Sequence, residues 1–237
     1  MQLPYFYQPL AAAINTTIIL SEDASKHCVQ VLRMKEGDKL QLTNGKGGLF
    51  TAAITNSDKK HCSVIVEEAT FQPQAARTIC IAISLLKNAT RWEWFLEKAV
   101  EMGVQQIIPL LCDRTEKQRY KEERLHNIVV SAMLQSRQLW LPQLHQPTPF
   151  TELMNRHSSF TQKLIAHCRD DDTKTPLQMV QNGTNTQTLI GPEGDFTEKE
   201  IALALQNNYQ PVSLGTTRLR TETAGVVASA LLIYTSK

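Results

Sequence analysis

The residue pattern predicts an α/β protein: a domain of strands alternating with helices in layers, preceded by a small β-barrel module. Two observations carry this. From Thr78 onward, continuous apolar runs of strand length alternate with stretches of helical periodicity, the texture of an α/β layer architecture. Before that point, short strand-like runs are separated by Asn, Asp and Gly turns, the texture of a small barrel. The chain has 237 residues, enough for a small module plus a medium domain.

In chain order, a helix is expected around Ser21–Met34, where Cys28, Val31 and Leu32 fall at helical spacing. Strands are expected at Lys39–Thr43, Leu49–Thr55 and Cys62–Val66, joined by the turns Asn44-Gly45-Lys46-Gly47-Gly48 and Asn56-Ser57-Asp58. This places a barrel at residues 1–70, an aperiodic linker at 71–77 and the second domain at 78–237. Ile79–Leu86 reads as a strand buried on both faces. Thr90-x-x-Glu93 reads as a capping box for a helix burying Trp92, Phe95, Leu96 and Ala99 and closed by Gly103. Gln106–Leu111 follows as a strand and Glu122–Leu139 as a longer helix. Strands at Lys163–His167 and Gln187–Ile190, with a short helix from Thr175-Pro176-Leu177-Gln178, complete the layers.

Composition excludes little. Hydrophobic residues make up 42% and charged residues 20%, as in a soluble globular protein, and no apolar run has the length of a membrane span. The amino terminus lacks the pattern of a signal peptide, and the odd set of five cysteines without a CxxC pair suits a reducing, cytoplasmic setting. The net charge of +2 does not by itself mark a nucleic-acid binder.

Two segments carry the chemistry. In Leu189–Ile201 a buried strand ends at Ile190 and a helix starts after Thr197, with Glu200 completing a capping box and Phe196 and Ile201 forming a hydrophobic staple. Between them lies Gly191-Pro192-Glu193-Gly194, at the strand end where α/β sheets hold ligands. From the residues alone it is either a ligand loop or a tight βα turn; two carboxylates, Glu193 and Asp195, argue against a phosphate cradle. In Val212–Ala224 a short strand runs into Gly215 and a polar loop, then an almost wholly apolar helix, Thr221–Tyr234, that must be buried, a partner subunit being one candidate cover. Arg218 and Arg220 flank Leu219 and can face one side, or they are ordinary solvated arginines.

Together the two segments, Leu-Ile-Gly-Pro-Glu-Gly-Asp-Phe and Leu-Gly-x-x-x-Leu-Arg-Thr-Glu-Thr-Ala, resemble the signature of the bacterial RsmE family. The likeness extends to Lys87, Glu97-Lys98, Glu101-x-Gly103-Val104 and Gln135-Ser136, with departures at Leu134, Gln138 and Asp195. The resemblance implies a trefoil-knotted, SPOUT-like methyltransferase domain behind a PUA-like RNA-binding barrel. It implies methyl transfer from S-adenosylmethionine to N3 of a uridine in 16S ribosomal RNA of the small subunit, by a homodimer with no metal. By the same resemblance Gly191, Pro192, Glu193, Gly194, Leu214, Gly215, Leu219, Arg220, Thr223 and Ala224 hold the cofactor. Arg220 would stabilise charge on the uridine, and Glu222 would accept a proton or orient an arginine. Lys26, Arg33, Lys35, Lys46 and Arg218 are the expected RNA contacts.

Two other readings stay open: a ribose 2′-O methyltransferase of the same fold, and a non-catalytic RNA-binding ribosome assembly factor. The pairs His27-Cys28, His61-Cys62 and His167-Cys168 lack the spacing of a metal site, and Asp170-Asp171-Asp172 reads as a solvated loop.

Overall fold

The computed structural model describes residues 3–11, 13–116, 120–169, 173–180 and 185–234; Asp170–Asp172 lie outside these. The chain divides into two compact units, one made of residues 1–74 and 133–141, the other of residues 75–132 and 142–237.

In the first unit, strands β1 (Tyr5–Tyr7), β2 (Thr17–Ile19), β3 (Lys39–Thr43), β4 (Gly48–Asn56) and β5 (Ser63–Phe71) form one sheet in the order β1-β3-β4-β5-β2. Alternate residues of β4 (Phe50, Ala52, Ile54) and of β5 (Val64, Val66) turn into a core with Leu40 and Leu42. Register shifts between Thr51 and Ala52 and between Ile54 and Asn56 mark bulges, which bend a strand and let a sheet curl over its core.

The single helix expected over Ser21–Met34 is broken. A short helix α1 (Glu22–Lys26) passes into a π-helical turn over His27–Val31, and Leu32 N–H donates to His27 O. The wider turn rotates Val31 and Leu32 out to solvent while Cys28 stays buried, so helical spacing misplaced two of the three apolar residues. Arg33, with φ +57°, ends the segment.

The Asn44–Gly48 turn does more than join two strands. Asn44 Oδ1 accepts from the N–H groups of Lys46 and Gly48, and the turn pairs with residues 139–141. Gly47 N–H donates to Leu139 O at 2.8 Å, and Leu141 N–H to Gly45 O at 2.9 Å. Tyr5 Oη donates to Gln138 O, Arg137 to Leu3 O, and Trp140 Nε1 to Gln72 O. A Cβ on Gly47 would lie 2.5 Å from Gln72 O and 2.8 Å from the Trp140 ring, so this glycine is required for close approach as well as for its φ of +88°.

The second unit contains β6 (Thr78–Ser84), α2 (Ala89–Met102), β7 (Gln106–Leu111), α3 (Glu122–Gln135, whose last residues belong to the first unit), β8 (Gln143–Leu144), β9 (Thr148–Pro149), α4 (Phe150–Asn155), β10 (Gln162–Ala166), β11 (Thr175–Pro176), β12 (Asn185–Ile190), α5 (Glu198–Gln206), β13 (Gln210–Ser213) and α6 (Thr221–Tyr234). Its sheet runs β11-β13-β10-β12-β6-β7-β8, with β9 also on β7, and every pair is parallel. Strand β6 is buried on both faces, as its apolar run requires. Parallel pairing brings the carboxyl ends of β6, β10, β12 and β13 to one edge. The order also reverses beside β6: β7 lies on one side of it and the later strand β12 on the other, the switch point where such sheets open a crevice.

Several helix boundaries differ from expectation. Helix α2 is capped by Asn88, whose side chain accepts from Thr90 and Arg91 N–H, so Thr90 lies inside the helix. Helix α3 ends at Gln135 rather than Leu139, because Arg137 adopts φ +56° and Gln138 N–H returns to Met133 O. That is a Schellman closure built on an arginine, where glycine is the usual signal. Pro176 caps a 3-10 turn, Leu177–Met179, instead of starting a helix. Gly103 (φ +96°) closes α2 as expected.

Candidate active site

The site is built by loops at the carboxyl ends of β10, β12 and β13. After β12, Gly191 packs so tightly that a Cβ would meet the Phe196 ring at 3.0 Å. Pro192 is buried, Glu193 and Gly194 are exposed, and Asp195 N–H turns back to Pro192 O at 2.9 Å. Asp195 itself has φ +62°, a conformation that favours glycine; aspartate is among the few other residues that tolerate it. Here its carboxylate is used, accepting from Cys168 N–H at 2.9 Å and so tying the end of β10 to the loop.

Downstream, Thr197 caps α5 in a full capping box with Glu200. Glu200 is buried, and its other oxygen accepts from Asp113 N–H at 2.9 Å. Arg114 donates to Gly194 O at 2.6 Å. Phe196 and Ile201 share one buried cluster, consistent with the expected staple.

After β13, Gly215 has φ +133° with none of the described residues within 4 Å of its missing Cβ, so it serves backbone conformation rather than space. Thr221 Oγ1 donates to Gly191 O at 3.0 Å, joining this loop to the first. Helix α6 then descends against α2 and β6. At Gly225 a Cβ would stand 2.6 Å from the Phe95 ring and 2.7 Å from Ile83 Cδ1, so the helix can approach only with glycine there.

Two adjoining cavities open along these loops. The larger, about 590 Å³, is lined by Ala166, His167, Lys174, the Val212–Leu219 segment and Ala224. The smaller, about 350 Å³, is lined by Arg91, Pro192, Glu193, Asp195, Arg220 and Thr221, and the two share Cys168, Arg218 and Leu219. Leu214, Gly215, Leu219 and Ala224 thus meet on the larger cavity, and Pro192, Glu193 and Arg220 on the smaller. Gly191, Gly194 and Thr223 line neither, although Gly191 and Gly194 supply the carbonyls that Thr221 and Arg114 hold. Glu222 is buried behind the wall, with Oε1 3.8 Å from Arg91 Nε. Arg218 and Arg220 are exposed.

The basic residues Lys26, Arg33, Lys35 and Lys46 are all exposed on the first unit; Lys26 pairs with Glu22 at 2.8 Å. In each His-Cys pair one residue is buried and the other exposed, so neither neighbour reinforces the other as a ligand. Burial pushes the Cys28 and Cys80 thiols up to about 12, the behaviour of inert core groups. Sequence reasoning missed Arg91, Arg114 and Gly225. For Arg91 a signal existed: it is a cation in the first turn of α2, where the helix dipole disfavours it.

A parallel α/β sheet with glycine-shaped loops at a switch point, following a curled β-sheet unit, defines a two-unit protein with a cofactor-type crevice. The sequence matches the family described as RNA methyltransferase domain over residues 73–233, and that described as RNA methyltransferase PUA domain over residues 20–67. The chain belongs to this RNA methyltransferase family. A crystal structure from Porphyromonas gingivalis is 38% identical, with a TM-score of 0.89 over 98% of both chains. The ribosomal RNA small subunit methyltransferase E of Neisseria gonorrhoeae, solved bound to S-adenosyl methionine, is 28% identical, with a TM-score of 0.86 over 97% of this chain and 96% of that one. The protein of the same name from Rickettsia conorii is 29% identical over 92% of this chain and 90% of its own length. The resemblance drawn from the two loop motifs is therefore upheld.

Proposed function

We propose that the chain transfers a methyl group from S-adenosylmethionine to N3 of a uridine in 16S ribosomal RNA of the small subunit, in the cytoplasm and as a homodimer. The observation that carries this reading is the pair of adjoining cavities along two loops tied by the Thr221–Gly191 hydrogen bond. The larger cavity fits the cofactor: Val212, Leu214, Leu219 and Ala224 offer an apolar wall for adenine and ribose, and the bent backbone at Gly215 leaves open space beside it. The trefoil threading of the C-terminal segment belongs to the same reading, with the Gly191–Gly194 and Leu214–Ala224 loops crossing at that bond.

S-adenosylmethionine, when bound, supplies a methyl group already activated as a sulfonium, so the chemistry calls for no metal. Uridine N3 lies on the pairing edge, so the base must leave its stack; N3 would give up its proton to water in this open cavity as it gains the methyl group, whose bond to sulfur breaks to leave a neutral thioether. Arg220, exposed on the smaller cavity beside Arg218, is assigned to the uridine oxygens, where negative charge grows. Glu222, buried and lining neither cavity, is assigned to orienting an arginine rather than to accepting the proton. Lys26, Arg33, Lys35 and Lys46 are assigned to RNA phosphates. The homodimer is supported by the partly exposed apolar residues Leu231 and Ile233 of α6, the exposed Tyr234 and the exposed Trp94 of α2.

The test is transfer of a labelled methyl group to small subunits lacking the modification, followed by nucleoside analysis. Appearance of 3-methyluridine supports the reading. A 2′-O-methylated nucleoside would shift it to ribose methylation, and no transfer despite cofactor binding would leave a non-catalytic factor. In the same assay Arg220→Ala is expected to lower turnover by roughly 100-fold while cofactor affinity changes little. Equal losses in both would make Arg220 a cofactor ligand.

A further inference from the structure

Arg91 stands where three parts of the site meet. It lies in the first turn of α2, against the helix dipole, so something other than the helix holds it there. Its Nη1 is 3.4 Å from Glu193 Oε1 on the loop after β12, and its Nε is 3.8 Å from Glu222 Oε1 in the first turn of α6. Among the described residues it is the ion-paired one of the three arginines on the smaller cavity.

Glu222 explains the arrangement. The residue is 6% exposed, and among the described residues its Oε2 has no hydrogen-bond partner. A carboxylate in that position needs a counter-charge, and Arg91 supplies it. A guanidinium can face two carboxylates at once through different nitrogens, which an ammonium cannot do with the same geometry. The two carboxylates come from the two loops that Thr221 also ties together.

We propose that Arg91 is a positioning residue for methyl transfer. Seated on Glu222 and reaching Glu193, it fixes the spacing between the Gly-Pro-Glu-Gly loop and the start of α6, and with it the position of Arg220 across the cavity. This rests on the methyltransferase reading and deepens it: Glu222 acts through Arg91.

The test compares wild type, R91M, R91K, E222Q and the double variant R91M/E222Q in the labelled-methyl assay on small subunits, alongside cofactor binding by equilibrium dialysis and urea unfolding. Misplacement of catalytic groups by about an ångström costs on the order of 100-fold, so R91M and E222Q are each expected to lower kcat by about 10- to 100-fold. Cofactor Kd should move by less than about threefold, the signature of a loss confined to turnover. R91K should recover part of kcat, and the double variant should be no worse than the poorer single variant. A purely structural role would lower kcat only in step with the unfolding midpoint, and that result overturns the proposal. So does a double variant whose loss is the product of the two single losses, or R91M within about twofold of wild type. No turnover by wild type overturns the functional reading and this one together, whereas an active wild type with an unaffected R91M overturns this one alone.

Discussion

Asp195 shows how one residue can serve a backbone need and a contact at once. Its φ of +62° would suit glycine, yet the aspartate side chain accepts a hydrogen bond from Cys168 N–H that glycine could not. Glycine at this position should therefore lose the contact but keep the conformation freely, and alanine should lose the contact and hold the conformation at a cost. The left-handed conformation costs an ordinary residue about 1–2 kcal/mol, so D195A is expected to unfold at lower urea than D195G by about that difference. Equal midpoints for the two would mean that the backbone conformation is not retained without the aspartate. Gly191 and Gly225 are glycines of another kind, needed for space, since a Cβ at either would press on the aromatic rings of Phe196 and Phe95 respectively.

At the level of elements, the start of α5 is fixed by its own neighbours in sequence. Thr197, Glu200, Phe196 and Ile201 are within a few residues of each other, which is why the boundary is legible without the fold. T197A removes a cap worth about 1 kcal/mol, and the expected result is a lowered urea midpoint with an unchanged m-value. A changed m-value would indicate that the whole loop after β12 loosens. Other boundaries are illegible for equally local reasons. Asn88 and Thr90 both carry cap chemistry, and only the chain path into α2 selects Asn88. Arg137 closes α3 in a conformation usually signalled by glycine. The π-helical turn at His27–Val31 gives no compositional warning and carries Val31 and Leu32 outward.

For the whole molecule, the segment at 133–141 joins the strands of residues 1–74 in one compact unit. Trp140 is one side chain of this joint, donating to Gln72 O at 2.9 Å and meeting Phe71 edge-on at 6.1 Å between ring centroids. Losing one hydrogen bond and one aromatic pair is worth about 1–2 kcal/mol. W140A is therefore expected to speed amide exchange at Gly47, Gln72 and Leu141 by roughly 5- to 30-fold while leaving β6 and β12 protected. Uniform acceleration across both units would mean that the segment's loss destabilises the entire chain instead.

The layer architecture, the double burial of β6, the capping of α5, the closure of α2 at Gly103 and the two loop motifs that mark the family are all legible in the amino-acid order. Each of these is written in periodicity, in cap chemistry or in a short run of residues, all of which act over a few positions along the chain. It takes the folded chain to reveal that Arg91 meets Glu222 and Glu193, that Cys168 holds Asp195, that Thr221 closes on Gly191, and that residues 133–141 pair with the Asn44–Gly48 turn. These partners are far apart in sequence, and although Arg91 and the loop motifs are marked locally, nothing in their own neighbours says which group each one meets. Parallel strand pairing and the approach of α6 through Gly225 bring the site's partners together, and no local pattern encodes that.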